Sequence, residues 1–283
     1  MLIIISQIVV LAIMAILFAI EFKKDKSKFT TKELTMVAML CVLTAVVARV
    51  LAIKLPPGQP MFIISLAAVL TTTIGLLVSP KMALFTGIVI DVLGLLMSAA
   101  TGDGSMPFLG FTLSSMLSVY LPSILSRSMK DISPRKISIA VYAFLIVMLG
   151  LGFVFINNAE SISLDGVRND LDPRMRTLFI ALLMIMATAI AIANIYYNYK
   201  FKNERSKQII SPSHLTFIIL ITEIVCSVLG TSLWLYIMYG VNFEVAMMTR
   251  IVRVIIQLPI NVGLTYLLIK YLPYSIKSMF MQK

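Results

Sequence analysis

Residues 246–271 read AMMTRIVRVIIQLPINVGLTYLLIKY. The stretch is long enough to cross a bilayer as a helix. It nevertheless carries Arg250, Arg253, Gln257 and Asn261. At about 100° per residue, these four fall within a sector of roughly 80°. Charge at membrane depth is costly, so such a face turns toward a protein interior or a wet cavity. Pro259 lies in the same span and can interrupt its hydrogen-bond ladder. A membrane helix that is polar along one stripe reads as the wall of a pocket. The competing reading is internal packing, with each arginine paired or snorkelling to the surface.

Outward from this stretch the chain is apolar throughout. Of its 283 residues, 59% are hydrophobic, and the mean hydropathy is +0.98. A soluble domain sits nearer 45–50% apolar, so the sequence predicts an all-α integral membrane protein. The net charge of +11 does not point to nucleic acid, because the basic residues lie in short loops between apolar spans. Cys41 and Cys226 both fall inside spans, and no disulfide is expected. His214 stands at a helix start, as a cap or surface group does. Metal-ligand spacing, a phosphate-binding glycine loop and a nucleophile elbow are all missing from the sequence. No cofactor and no catalytic activity are expected.

Nine spans are predicted: 2–21, 34–53, 62–78, 82–99, 108–125, 137–156, 177–197, 215–239 and 246–271. Lys23, Lys24, Lys26 and Lys28 follow the first. Arg127, Lys130, Arg135 and Lys136 lie between the fifth and sixth, and Lys200, Lys202, Arg205 and Lys207 between the seventh and eighth. The alternate loops hold only Lys54, Arg168, Arg174 and Arg176. The positive-inside rule therefore places the amino end outside and the carboxyl end in the cytoplasm of the plasma membrane.

With that orientation the unusual residues gather in the outer half of the membrane. Arg49, Thr112, Trp234, Arg250 and Arg253 lie toward the outer ends of their spans, and Asp91 lies near the midplane. A pocket open to the outside accounts for this better than a channel, which needs polar residues along its whole length. Three arginines against Asp91 favour an anionic ligand, and Trp234 and Phe111 offer flat surfaces for a ring. An integral-membrane enzyme is the contrasting class. It would need acid–base groups converging in the membrane, whereas Asp91, Glu223 and His214 are scattered in depth.

Five strings carry a family likeness: AMLCVLTAVVARVL from Ala38, GLLVSPKMALFTGIVIDVLG from Gly75, PFLGFTLSSML from Pro107, GTSLWL from Gly230 and TRIVRVIIQLP from Thr249. Through them the chain resembles the substrate-binding (S) component of energy-coupling factor vitamin transporters, and among these the folate-specific branch. The resemblance implies a six-helix core that binds a vitamin from outside and docks on a transmembrane T component energised by two cytoplasmic ATPases. It implies Arg49, Thr112, Trp234 and Arg250 as ligand contacts. It also implies that the small-residue face of Ala38, Cys41, Ala45 and Ala48 meets the T component.

Folate suits such a pocket. Its glutamyl carboxylates match arginine, its ring matches Trp234 and Phe111, and its pterin edge matches Asp91 or Gln257. Riboflavin, thiamine or pantothenate are the alternatives within the same machine. The sequence departs from the family at Val42 and Ser79, where small residues and glycine are usual. It also carries one helix more at the start and two more before the last pair. The expected organisation is an added helix and basic loop over 1–30, core helices over 31–130, a two-helix insertion over 131–210 and the last core helices over 211–283. On this reading residues 133–210 are dispensable for binding.

Overall fold

A computed structural model describes residues 2–25, 29–50, 53–55, 62–64, 66–101, 107–129, 132–158, 161–164, 167–170, 173–200 and 211–272. The side chains of the strands and of a few helical residues, Arg49 among them, lie outside the description. Helix α1 (Leu2–Lys24) is followed by α2 (Thr31–Val50) and a hairpin of β1 (Ile53–Leu55) and β2 (Phe62–Ile64). Then come α3 (Ala67–Leu77), α4 (Pro80–Thr101), α5 (Leu109–Ser128) and α6 (Pro134–Asn158). A second hairpin, β3 (Ser161–Leu164) with β4 (Val167–Asp170), leads to α7 (Pro173–Lys200). Helix α8 (Pro212–Glu223) runs through a π-helical stretch, Ile224–Thr231, into α9 (Ser232–Tyr239), and α10 (Phe243–Tyr271) ends the described chain.

Local chemistry sets the helix ends. Thr30 and Glu33 exchange hydrogen bonds, the hydroxyl accepting from the Glu33 amide and the carboxylate from the Thr30 amide, which caps α2. Ser211 followed by Pro212 opens α8, and Asn242 caps α10 by accepting from the Glu244 amide. Gly240, at φ 66°, closes α9 in the left-handed conformation.

Six helical runs are long and apolar enough to cross a membrane: those of α1, α4, α5, α6, α8 to α9, and α10. The apolar parts of α2, α3 and α7 are shorter. The span expected over 62–78 starts instead at Ala67, because Phe62–Ile64 pairs antiparallel with Ile53–Leu55. A short apolar run bounded by prolines does not by itself distinguish strand from helix. Pro259 does not break α10, which is helical on both sides of it.

The buried side chains form two clusters. One draws on α1 to α5 with Trp234, and the other on α6, α7, α8, the π stretch and α10. The predicted insertion is therefore built into the fold. Ile137, Val141, Leu145 and Leu183 share a core with Leu215, Ile218 and Ile255. Two glycines let the helices of the first half approach closely. A Cβ on Gly75 would stand 2.3 Å from the Val119 carbonyl oxygen, and one on Gly87 the same distance from Met116 Cα.

The added first helix is tied down at its last turn. The Tyr120 hydroxyl donates to Glu21, which is 3% exposed, at 2.9 Å. Lys81 donates to the Asp25 carbonyl and stands 4.4 Å from the centre of the Phe22 ring. Arg127 donates to the Val78 carbonyl at the α3–α4 junction.

Candidate functional site

A cavity of about 470 Å³ opens where the end of α2, the later half of α4, the starts of α3 and α5, and α9 come together. Because consecutive helices run in opposite directions, all these segments belong to one end of the bundle. Thr44, Ala45 and Ala48 line it from α2, Asp91 and Gly94 from α4, and Phe108, Phe111 and Ser115 from α5. Leu235 and Tyr239 close the α9 side. The wall is mainly apolar with a few polar groups, as small-molecule sites are, and its size lies within their range.

The α4–α5 crossing at Gly87 brings the polar groups together. One turn beyond it, the Thr112 hydroxyl donates to Asp91 Oδ2 at 2.7 Å. Ser115 donates to the Gly87 carbonyl at 2.8 Å. Phe108 and Phe111 meet edge to face, with centroids 6.0 Å apart.

Trp234 stands behind this wall. Its indole N–H donates to Ser114 at 2.9 Å, and its ring centre lies 5.9 Å from that of Phe108. Gly110 makes room for it, since a Cβ there would come within 2.5 Å of the indole. Thr231 lies three residues before Trp234, a spacing that in an α-helix sets a hydroxyl beside that ring. In the π stretch its hydroxyl turns back to the Cys226 carbonyl at 2.9 Å, five residues away. The wider i to i+5 turn shifts the residues after it onto a different face from the one an α-helix would give.

The expected residues divide into two places. Asp91 and Phe111 line the cavity, Thr112 is tied to it by its hydrogen bond to Asp91, and Trp234 is its backing. Arg250, Arg253 and Gln257 do not join them. Their face of α10 packs on α8 and the π stretch, where Arg253, and more weakly Arg250, act electrostatically on Glu223. Arg253 Nε donates to Gln257 at 3.3 Å, and Asn261 donates to Glu223 at 3.4 Å. The single net-positive pocket expected from the sequence is thus two sites, because α10 turns its stripe toward α8 and away from α4 and α5. Arg49 lies in α2 directly after Ala48, and its side chain is outside the described residues.

The small-residue face is also divided. Ala38 is exposed, Cys41 and Ala45 are buried at 1% and 4%, and Ala45 and Ala48 line the cavity. Helix α2 packs on α3 and α4 of the same chain, and of the four residues Ala38 alone is exposed. Sequence reasoning missed Thr44, Gly94, Phe108, Ser115 and Tyr239 as lining residues. The serines of FTLSSM, on the face that includes Phe111, were the available signal.

No known family model, curated protein or solved structure matches this chain.

Proposed function

We propose that the protein is the membrane-embedded substrate-binding component of an ATP-driven vitamin importer of the energy-coupling factor type. Its ligand is folate or a related pterin conjugate, taken from the outer side. In this reading nine helical segments traverse or enter the plasma membrane, with the amino end outside and the carboxyl end in the cytoplasm. The chain carries no phosphate-binding glycine loop, so energy comes from two ATPase subunits through a T component.

The observation that carries the reading is the cavity itself. It gathers four of the five segments that carry the matched strings, all but the one on α10, at the end of the bundle that the charge bias assigns to the outside. Aromatic walls from Phe108 and Phe111 suit a flat ring. Arg250 and Arg253 lie on the Glu223 side, and in this reading Arg49, which follows the lining residue Ala48 in α2, takes a glutamyl carboxylate.

Calorimetry on the detergent-purified full chain tests this, with folate, riboflavin, thiamine and biotin titrated separately. Saturable binding of folate at one site per chain is expected. Binding of riboflavin alone would replace the ligand and keep the machine. Binding of none would remove the vitamin reading.

A further inference from the structure

We propose that Asp91 selects the ligand, by taking a ring edge that offers two adjacent N–H donors, as the amino group and ring N–H of a pterin do, or a positive charge. The inference rests on the cavity being the ligand site and goes on to name the chemistry that the site accepts.

The argument is one of donors and acceptors. A carboxylate has about four lone-pair positions, and Asp91 receives one hydrogen bond, from Thr112. Among the described residues it has no cationic partner. Around it stand Ile90, Leu95, Phe108 and Phe111, which cannot solvate it, and an ionisable group so placed within a membrane protein is costly without a partner. The neighbouring hydroxyls do not help. Thr44 gives its proton to the Leu40 carbonyl at 2.7 Å, and Ser115 gives its own to Gly87. Both oxygens are left as acceptors. Asp91, Thr44 and Ser115 therefore present acceptors to the cavity, which a ligand bearing N–H donors or positive charge complements.

The chemistry separates the candidate vitamins. The pterin of folate carries an amino group beside a ring N–H, and thiamine carries an aminopyrimidine and a cationic ring. Both complement a carboxylate. The riboflavin ring edge sets a single N–H between two carbonyls, which would face Asp91 with like polarity. Biotin sets its two ureido N–H groups on either side of a carbonyl, and pantothenate has no ring edge to offer. Thr112 fixes the rotation of the Asp91 carboxylate and is a positioning residue.

Gly94 supplies an independent control. It lines the cavity, and a Cβ built on it meets nothing within 4 Å, so a larger side chain there occupies ligand space without displacing protein. The test is calorimetry of the full chain and of Asp91→Asn, Thr112→Val and Gly94→Leu with the same four vitamins, with thermal unfolding followed for each protein. The expected result is binding of folate or thiamine and not of riboflavin or biotin. Asp91→Asn should weaken it at least about tenfold, as loss of a charge-assisted contact does, Thr112→Val less, and Gly94→Leu should abolish it.

Binding that survives Asp91→Asn but is lost in Gly94→Leu would overturn the role of Asp91 and leave the cavity in place. Binding unchanged in both would overturn the cavity as the site. Preference of the unaltered chain for riboflavin or biotin, or no binding of any of the four, would also overturn the proposal. Should Asp91→Asn fail to fold, an unaltered affinity in Thr112→Val together with loss in Gly94→Leu would count against it.

Discussion

Two side chains read differently once their neighbours are known. Trp234, the one tryptophan of the chain, has its indole N–H on Ser114 and its ring against Phe108. It supports the cavity wall from behind. Ser114→Ala would leave that N–H buried without its acceptor, at a cost of about 1–3 kcal/mol. A lower unfolding temperature, followed by the emission of Trp234 itself, is the expected outcome; an unchanged one would mean that the indole finds another acceptor. Ala45 shows the second difference. A docking role predicts that Ala45→Leu blocks uptake while the isolated protein still binds its ligand. Ala45 is 4% exposed and lines the cavity, so Ala45→Leu should reduce binding in the isolated protein as well. Full binding by that variant would return Ala45 to the docking surface.

At the scale of elements, α4 and α5 depend on glycine. Gly87→Ala would place a methyl 2.3 Å from Met116 Cα, and backbone cannot yield as a side-chain tip does. Overpacking of this kind costs about 1–3 kcal/mol. Gly94→Ala, on the same helix but facing open space, should unfold at or slightly above the unaltered temperature because alanine favours the helix, and the difference between the two variants measures the crossing. The helices α6 and α7 answer a larger question. They share buried side chains with α8 and α10, so a chain lacking residues 133–210 would uncover that core. It is expected to aggregate or unfold on purification. A well-folded, ligand-binding shortened chain would show that α8 and α10 hold their places without them. Helix α1 is mostly exposed along its length and anchored at its last turn by Glu21, Tyr120 and Lys81.

The whole molecule is two buried clusters joined along α5, α8 and α10, with the cavity on one side and the Glu223 group on the other. Glu223, Arg250 and Arg253 are each half-buried, and charge at membrane depth is costly once its partner is removed. Glu223→Ala, which leaves Arg250 and Arg253 without it, should therefore lower stability sharply, while Glu223→Gln keeps the hydrogen bond from Asn261. If Glu223→Ala unfolds like the unaltered protein, water already solvates the arginines. The sequence alone carried the helical class and the helical runs, with their ends displaced by up to five residues. Apolar run length, capping side chains and loop charge act over a few residues, and a linear reading reaches that far. Asp91 was legible because a carboxylate is out of place in an apolar span, whereas Thr112 came with the family likeness and Phe111 as a flat surface for a ring. Which stripe meets which was decided only by tertiary structure. Helical periodicity tells that Arg250, Arg253 and Gln257 share a face, but the rotation of α10 about its axis depends on packing against α8 and the π stretch. That π turn leaves no mark in hydropathy, and the strand at Phe62–Ile64 looks like the start of a span until its partner is known. The small residues of α2 permit close approach equally to another subunit and to α4, and only the three-dimensional fold shows α3 and α4 packed on this helix.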